Sequence, residues 1–278
     1  MNRPSHIARI GRFTALALFL FFALGPLAWI IITSLKGPKE IYTFPIKYLP
    51  SHPSLESYRQ LFRFANFGIY FRNSFFVTME GAVGAMILSA FGGYALSRFK
   101  FKSAKRAMIL VLYVTQTIPT FMLMLPLYLL MADLHAVDNL GALGLIYMVS
   151  VLAFCVIMAK SFFDRIPASL EEAAEIDGCS MLQSLLRVIM PLLAPGMVAI
   201  FSFAFVNIWN ELFVAVLFMS SPDKLTVPVA LNSFISKAGI SWDVLSAGIV
   251  MALLPTMLVF AIGQRYIVAG LTEGGVKE

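Results

Sequence analysis

Long apolar runs separated by short polar stretches dominate the chain. About 20 predominantly apolar residues span a bilayer, and six runs reach that length: roughly 13–34, 74–97, 106–131, 141–160, 196–219 and 244–264. A membrane β-barrel would show alternating segments of about ten residues. These runs are continuously apolar, so they predict helices. The first, Phe13 to Ser34, is too long for a signal-peptide core and no small-residue cleavage pattern follows it. It is expected to be a retained span.

Six spans put both termini on one side of the membrane. With the termini in the cytoplasm, thirteen Lys and Arg residues fall inside and eight outside, six of the eight in the long loop 35–72. Short loops weigh most in the positive-inside rule, so a multi-pass protein of the cytoplasmic (inner) membrane with both termini cytoplasmic is expected. The loop 35–72 carries Pro38, Pro45, Pro50 and Pro53 among aromatic residues. It predicts a short interfacial helix near 54–64, with the aromatics as headgroup-level anchors.

Composition narrows the class. Of 278 residues, 59% are hydrophobic and 13% charged, against about 25% charged in an ordinary soluble domain. A soluble enzyme and a disordered chain are both excluded. The net charge of +6 resides at the ends of apolar runs, which is a topology signal and not a nucleic-acid surface. Two cysteines, one in an apolar run and one in a polar loop, make no disulfide framework.

One inner loop breaks the basic pattern. Residues 161–195 contain Asp164, Glu171, Glu172, Glu175 and Asp177. Pro167 ends the preceding helix. Ser169-x-x-Glu172 reads as a capping box, and the acids suit the dipole at a helix start. Asp177-Gly178 reads as a stop. A second amphipathic helix is predicted from about Ser180 to Met190, with Pro191 and Pro195 leading into the fifth span. On these residues alone, a docking element for a cytoplasmic partner and a solvated capped loop are equally supported.

Glu172-Ala173-Ala174, Gly178, Val188, Met190 and Pro191 resemble the EAA motif of ABC importer permeases, E-A-A-x3-G-x9-I-x-L-P, with Val and Met in place of Ile and Leu. Asn73-Ser74, Tyr94-Ala95-Leu96 and Trp209-Asn210-Glu211 are similar to the same family, and the tail from Gln264 to Lys277 resembles its carbohydrate branch, of the MalG type. The resemblance covers about residues 13–278. It implies an all-α, six-span type I importer fold with a cytoplasmic coupling helix, divided as arm 1–12, transmembrane domain 13–264 and tail 265–278. It further implies a homologous second permease (MalF-like), two ATPase subunits and an extracytoplasmic solute-binding protein as partners. ATPase coupling would fall to Glu171, Glu172, Ala173, Ala174, Asp177 and Gly178, with tail contacts at Thr272, Gly274 and Gly275.

The chain is not expected to be an enzyme. A P-loop needs Gly-Lys-Ser/Thr, and the sequence has no Gly-Lys dipeptide. ATP and Mg would belong to the separate ATPase, and this chain would bind no cofactor. His6, His52 and His135 are isolated, without metal-ligand spacing.

Two carboxylates, Glu80 and Glu211, fall within spans. An intramembrane charge costs about 2.5–3.5 kcal/mol on insertion scales and usually faces a cavity or a partner. Helical spacing puts Glu211 on one face with Asn207 and Asn210. These four residues are candidates for the translocation path; an interhelical hydrogen-bond cluster is the rival for Glu211, and interfacial placement for Glu80. Gly81, Ala85, Ser89, Gly93 and Ser97 recur every fourth residue and predict close helix packing. Thr115, Gln116, Thr117 and Pro119 predict a kink in the third span. The expected cargo is a sugar or oligosaccharide, with glycerol phosphate or another polyol as the alternative. An ion-coupled secondary transporter would show inverted repeats with broken helices, which the sequence does not display.

Overall fold

A computed structural model describes residues 6–63, 66–98, 100–236 and 239–272. Among these residues the architecture is helical apart from one antiparallel pair of two-residue strands, Ile235–Ser236 with Gly239–Ile240. Among the described residues, five helices are long and apolar enough to cross a membrane: the apolar part of α1 (His6–Ser34), α4 (Phe67–Arg98), α7 (Leu140–Phe163), the continuous stretch Met181–Trp209, and the first part of α13 (Trp242–Thr272).

The third predicted span differs from expectation. It is two helices, α5 (Lys102–Thr117) and α6 (Thr120–Asp133), bent by 94°. Pro119 has no N–H to donate and forces its predecessor out of the helical region. Ile118 accordingly sits at φ −81°, ψ 115°. The expected kink is a full break.

The fifth span also differs. Met181–Ser184 (α9), a π turn over Leu185–Ile189 and Met190–Trp209 (α10) form one continuous helical stretch. The prolines do not separate two helices. Pro191 would clash with the carbonyl four residues back, and the π turn widens the winding there, with the Met190 N–H reaching the Leu185 carbonyl. At the far end the helix stops at Trp209 and a short α11 follows, Phe213–Phe218. The expected run to residue 219 is thus interrupted at Asn210–Leu212.

The chain divides into two compact units. The smaller combines residues 1–68 and 230–254. It holds α1, α2 (Pro38–Ile41) and α3 (Glu56–Arg63), a helix where the sequence predicts a short one near 54–64. Lys36 is only 3% exposed. Its Nζ donates to the Lys47 carbonyl at 2.6 Å and lies 4.6 Å over the Trp29 ring. Ser34 and Tyr58 share a hydroxyl hydrogen bond of 2.8 Å, and Tyr42 donates to the Ile240 carbonyl at 2.6 Å. Leu61 and Phe67 are fully buried here, close to Gly248, where a Cβ would meet Leu231 at 2.5 Å.

The larger unit spans 69–229 and the chain from Pro255 onward. Lipid removes the hydrophobic drive between helices, so close packing and hydrogen bonds must hold them. The small-residue stripe of α4 supplies the packing. A Cβ on Gly81 would meet the Gly144 carbonyl at 3.3 Å, and one on Gly93 would meet the Ala159 Cβ at 2.5 Å and the Lys160 nitrogen at 2.7 Å. Ala85 and Ser89 between them are fully buried. The predicted stripe is therefore the α4–α7 seam. α10 also packs on α7, with Phe205 and Trp209 stacked 5.8 Å apart.

At one end of this unit Asp138 grips the segment after α11. Its carboxylate accepts from the backbone N–H of Ser220 (3.0 Å) and Ser221 (3.1 Å), from the Ser221 hydroxyl (2.5 Å) and from Lys224 (3.1 Å). Nearby, the Asn73 amide donates to the Asp223 and Leu225 carbonyls. Ser74 Oγ accepts the Val227 N–H at 2.7 Å, at the first residue of α12 (Val227–Ser233).

Candidate functional site

The acidic loop folds as a helix, a glycine turn and a second helix, as the sequence predicts, with one correction. α8 runs Ser169–Ile176 with Ala168, not Ser169, at its N-cap, and no side chain caps it. Ala168 is itself helical and its carbonyl accepts the Glu171 and Glu172 N–H groups. Ser169 thus lies inside the first turn, where it cannot form the expected box. The capping box forms one helix later: Ser180 Oγ accepts the Gln183 N–H, and the Gln183 side chain accepts the Ser180 N–H. The predicted stop is present. Gly178 has φ +86°, which suits a residue without a Cβ. Its N–H bonds the Glu175 carbonyl and the Cys179 N–H bonds the Ala174 carbonyl, a Schellman termination.

The six residues expected to couple divide by environment. Glu172, Ala173, Asp177 and Gly178 are exposed, and Ala174 is buried under α8. Ile176, which sequence reasoning passed over, is 87% exposed. The free face of α8 is therefore acidic, with a small residue at Ala173 and an apolar side chain beside it. That face can receive a basic, grooved surface.

Glu171 points the other way. Its Oε1 is 2.5 Å from Nη2 and 2.6 Å from Nε of Arg98, and its Oε2 accepts from Tyr94 at 3.0 Å. Arg98 also donates to the Ile166 carbonyl (3.1 Å) and the Phe163 carbonyl (3.4 Å). Beside it, Asp164 accepts from Ser97 (2.7 Å) and Lys160 (2.5 Å). Burial pushes the Asp164 carboxyl up, but the Lys160 and Ser97 hydrogen bonds outweigh it and hold the group below its usual value.

The proposed path residues do not form one cluster. Asn207 and Asn210 are exposed, each amide donating to the carbonyl one turn back, Phe203 (2.8 Å) and Val206 (2.7 Å). Their Oδ1 atoms remain available as acceptors. Glu211 leaves their face, because the helix ends before it. It turns inward and accepts from Tyr147 and from the Val214 and Ala215 N–H groups. Glu80 is exposed, nearly four turns into α4, whose start lies seven residues before the expected span. A Cβ at Gly144 would collide with its carboxylate.

Thr272 ends α13, but its side chain lies outside the described residues, as do Gly274 and Gly275 altogether. Among the described residues no group of three or more His, Cys, Asp or Glu side chains could hold a metal ion.

Residues 85–273 match the family described as the binding-protein-dependent transport system inner membrane component. The chain belongs to that family. It is 37% identical to the sulfoquinovosyl glycerol transport system permease protein SmoH of Agrobacterium fabrum, over 96% of this chain and 93% of that one. It is 36% identical to the inner membrane ABC transporter permease protein YcjP of Escherichia coli, over 98% and 97% respectively. Among solved structures it resembles a chain of a bacterial ABC transporter involved in import of the acidic polysaccharide alginate. That similarity has a TM-score of 0.81 at 25% identity, covering 96% of this chain and 99% of the other. The matched range holds the whole acidic loop, so this multi-pass protein is a permease subunit of an ABC transport system.

Proposed function

We propose that this permease carries a sugar or oligosaccharide inward across the cytoplasmic membrane, driven by ATP hydrolysed on a separate subunit. The carbohydrate cargoes in the names of SmoH and of the alginate transporter support a sugar over a polyol phosphate. The observation that carries the coupling is the free face of α8. Glu172, Ala173 and Asp177 stand exposed on a helix terminated at Gly178, at the spacing of the EAA motif. On this reading the face docks into a groove of an ATPase subunit, and closure of two such subunits moves the spans. A homologous second permease and an extracytoplasmic binding protein complete the assembly. The basic residues of the short loops support cytoplasmic termini, with the arm 1–12 and the tail 265–278 flanking the transmembrane domain on this reading. Thr272, Gly274 and Gly275 would extend the contact to the ATPase. Asn207 and Asn210 offer acceptors to sugar hydroxyls along the path, and Glu80 adds a carboxylate. Glu211 serves the path indirectly, by shaping the break after α10.

The test is uptake of labelled mono-, di- and oligosaccharides and glycerol phosphate, in cells with and without this chain. ATP and the ion gradient are depleted separately. Loss of one sugar, sensitive to ATP and insensitive to the gradient, is expected. Loss that follows the gradient would overturn the mechanism, and loss of glycerol phosphate alone would overturn the cargo.

A further inference from the structure

α8 has little apolar hold on the protein. Its one buried side chain is Ala174, the smallest that can pack, while Leu170 and Ile176 are exposed. Its polar hold is stronger. The Arg98–Glu171 pair is shielded, with side chains 21% and 14% exposed. The guanidinium reaches three elements from the last residue of α4: Glu171 on α8, the Phe163 carbonyl at the end of α7, and the Ile166 carbonyl in the linker. Tyr94, one turn earlier on α4, holds the second carboxylate oxygen and packs its ring 5.4 Å from Phe163. Ser97 and Lys160 tie Asp164 beside them, and Lys105 donates to the Ser97 carbonyl.

From this geometry we infer that Arg98, with Tyr94 and Glu171, is a positioning residue that fastens the coupling helix to the ends of α4 and α7. Glu171 is thereby a strut inside the permease and not a contact to the ATPase. This rests on the coupling reading above and refines it. A force applied to the free face of α8 must pass into the spans through some rigid connection. The guanidinium fork supplies one, because its donors are fixed in a plane and a lysine could not reproduce them. α4 and α7 are themselves locked along the glycine stripe, so the fastened helix and the two spans move together.

The test uses the full chain assembled with its partner permease and ATPase subunits in lipid nanodiscs. Cys179 is replaced by serine, and spin labels are placed at the exposed positions Ser150 on α7 and Ser169 on α8. The probe is ATP alone, then ATP with vanadate. In the wild type the 150–169 distance should be the same in every state. Arg98→Ala and Glu171→Ala should each shift or broaden it by about 5 Å, roughly one helical turn, while the ATPase subunits still copurify at wild-type yield. The double variant should be no worse than either single one, because the two act through each other. Arg98→Lys should not restore the wild-type distance. If Arg98→Ala does not insert, Glu171→Ala decides alone: a shifted or broadened distance supports the strut, and the wild-type distance overturns it. An unchanged distance in Arg98→Ala overturns it as well. So does loss of the ATPase from Glu171→Ala but not from Arg98→Ala. A wild-type chain that retains no ATPase subunit brings down the importer reading instead, and the ATP-free distances then test the strut by themselves.

Discussion

The phenol of Tyr147 donates 2.8 Å to the Glu211 carboxylate, which also accepts two N–H groups in the first turn of α11, at Val214 and Ala215. One side chain thus starts a helix inside the fold and ties it to α7. Carboxylates suit that position, because unpaired N–H groups and the helix dipole meet there.

Glu211→Ala should therefore destabilise the permease by about 1–3 kcal/mol, the range for stranding buried hydrogen-bonding groups. Tyr147→Phe removes one bond and should cost about 1 kcal/mol. Thermal unfolding in detergent measures both. Glu211→Gln with unchanged uptake and unchanged assembly would remove Glu211 from path and packing alike.

Gly93 and Gly25 should respond oppositely to alanine. A Cβ at Gly93 runs into the Ala159 Cβ and the backbone of α7, whereas nothing lies within 4 Å of one at Gly25. Overpacking against backbone costs about 1–3 kcal/mol, so Gly93→Ala should lower the melting temperature. Gly25→Ala should leave it level or raise it slightly, since alanine is the better helix former by about 1 kcal/mol. Equal melting temperatures for the two variants would refute the seam.

The Asp138 grip should survive mild acid. The Ser221 hydroxyl, foremost, holds the carboxyl well below its usual range; the Ser221 and Ser220 N–H groups and Lys224 act in the same direction, against burial. A carboxyl depressed in the folded state stabilises fully above its unfolded value of about 3.9, and loses that contribution as pH falls below it toward the folded value. Asp138→Asn should cost about 1–2 kcal/mol at neutral pH, with little from the half-exposed Lys224 partner. The gap between wild type and variant should stay constant from pH 8 to about 5 and close only below about 4. A gap that narrows already at pH 6 would contradict this assignment.

Asn207→Ala and Asn210→Ala remove exposed amides that donate to carbonyls of their own helix. Each should reduce sugar uptake by about tenfold if it loses one good hydrogen bond to cargo, near 1.4 kcal/mol, with the melting temperature unchanged. Full uptake in both variants would take these residues off the path.

Local chemistry made much of this fold readable. The apolar runs marked the spans, the fourfold spacing from Gly81 to Ser97 marked the α4–α7 seam, and Asp177-Gly178 marked the end of the coupling helix. What escaped was decided by partners distant in sequence or by backbone alternatives. Glu171 read as one acid among five, because its partner Arg98 is 73 residues away. Glu211 read as sharing a face with Asn207, because periodicity presumes a helix that in fact stops at Trp209. Ser169 matched a capping pattern, yet Ala168 had already entered the helix. Pro191 read as a separator, since a sequence does not announce a π turn.

That π turn fixes a phase. A residue added to a plain α-helix would advance the winding by about 100°; closing one turn on the carbonyl five residues back takes up that advance within Leu185–Ile189, so the acidic loop keeps its angular setting relative to the span above it. Deleting a single residue there would press Pro191 against the preceding turn, whereas adding one in the plain α winding of α10 would rotate the loop about a quarter-turn around that axis. Every side chain of the loop would remain, but its acidic face would be aimed past whatever it is built to meet.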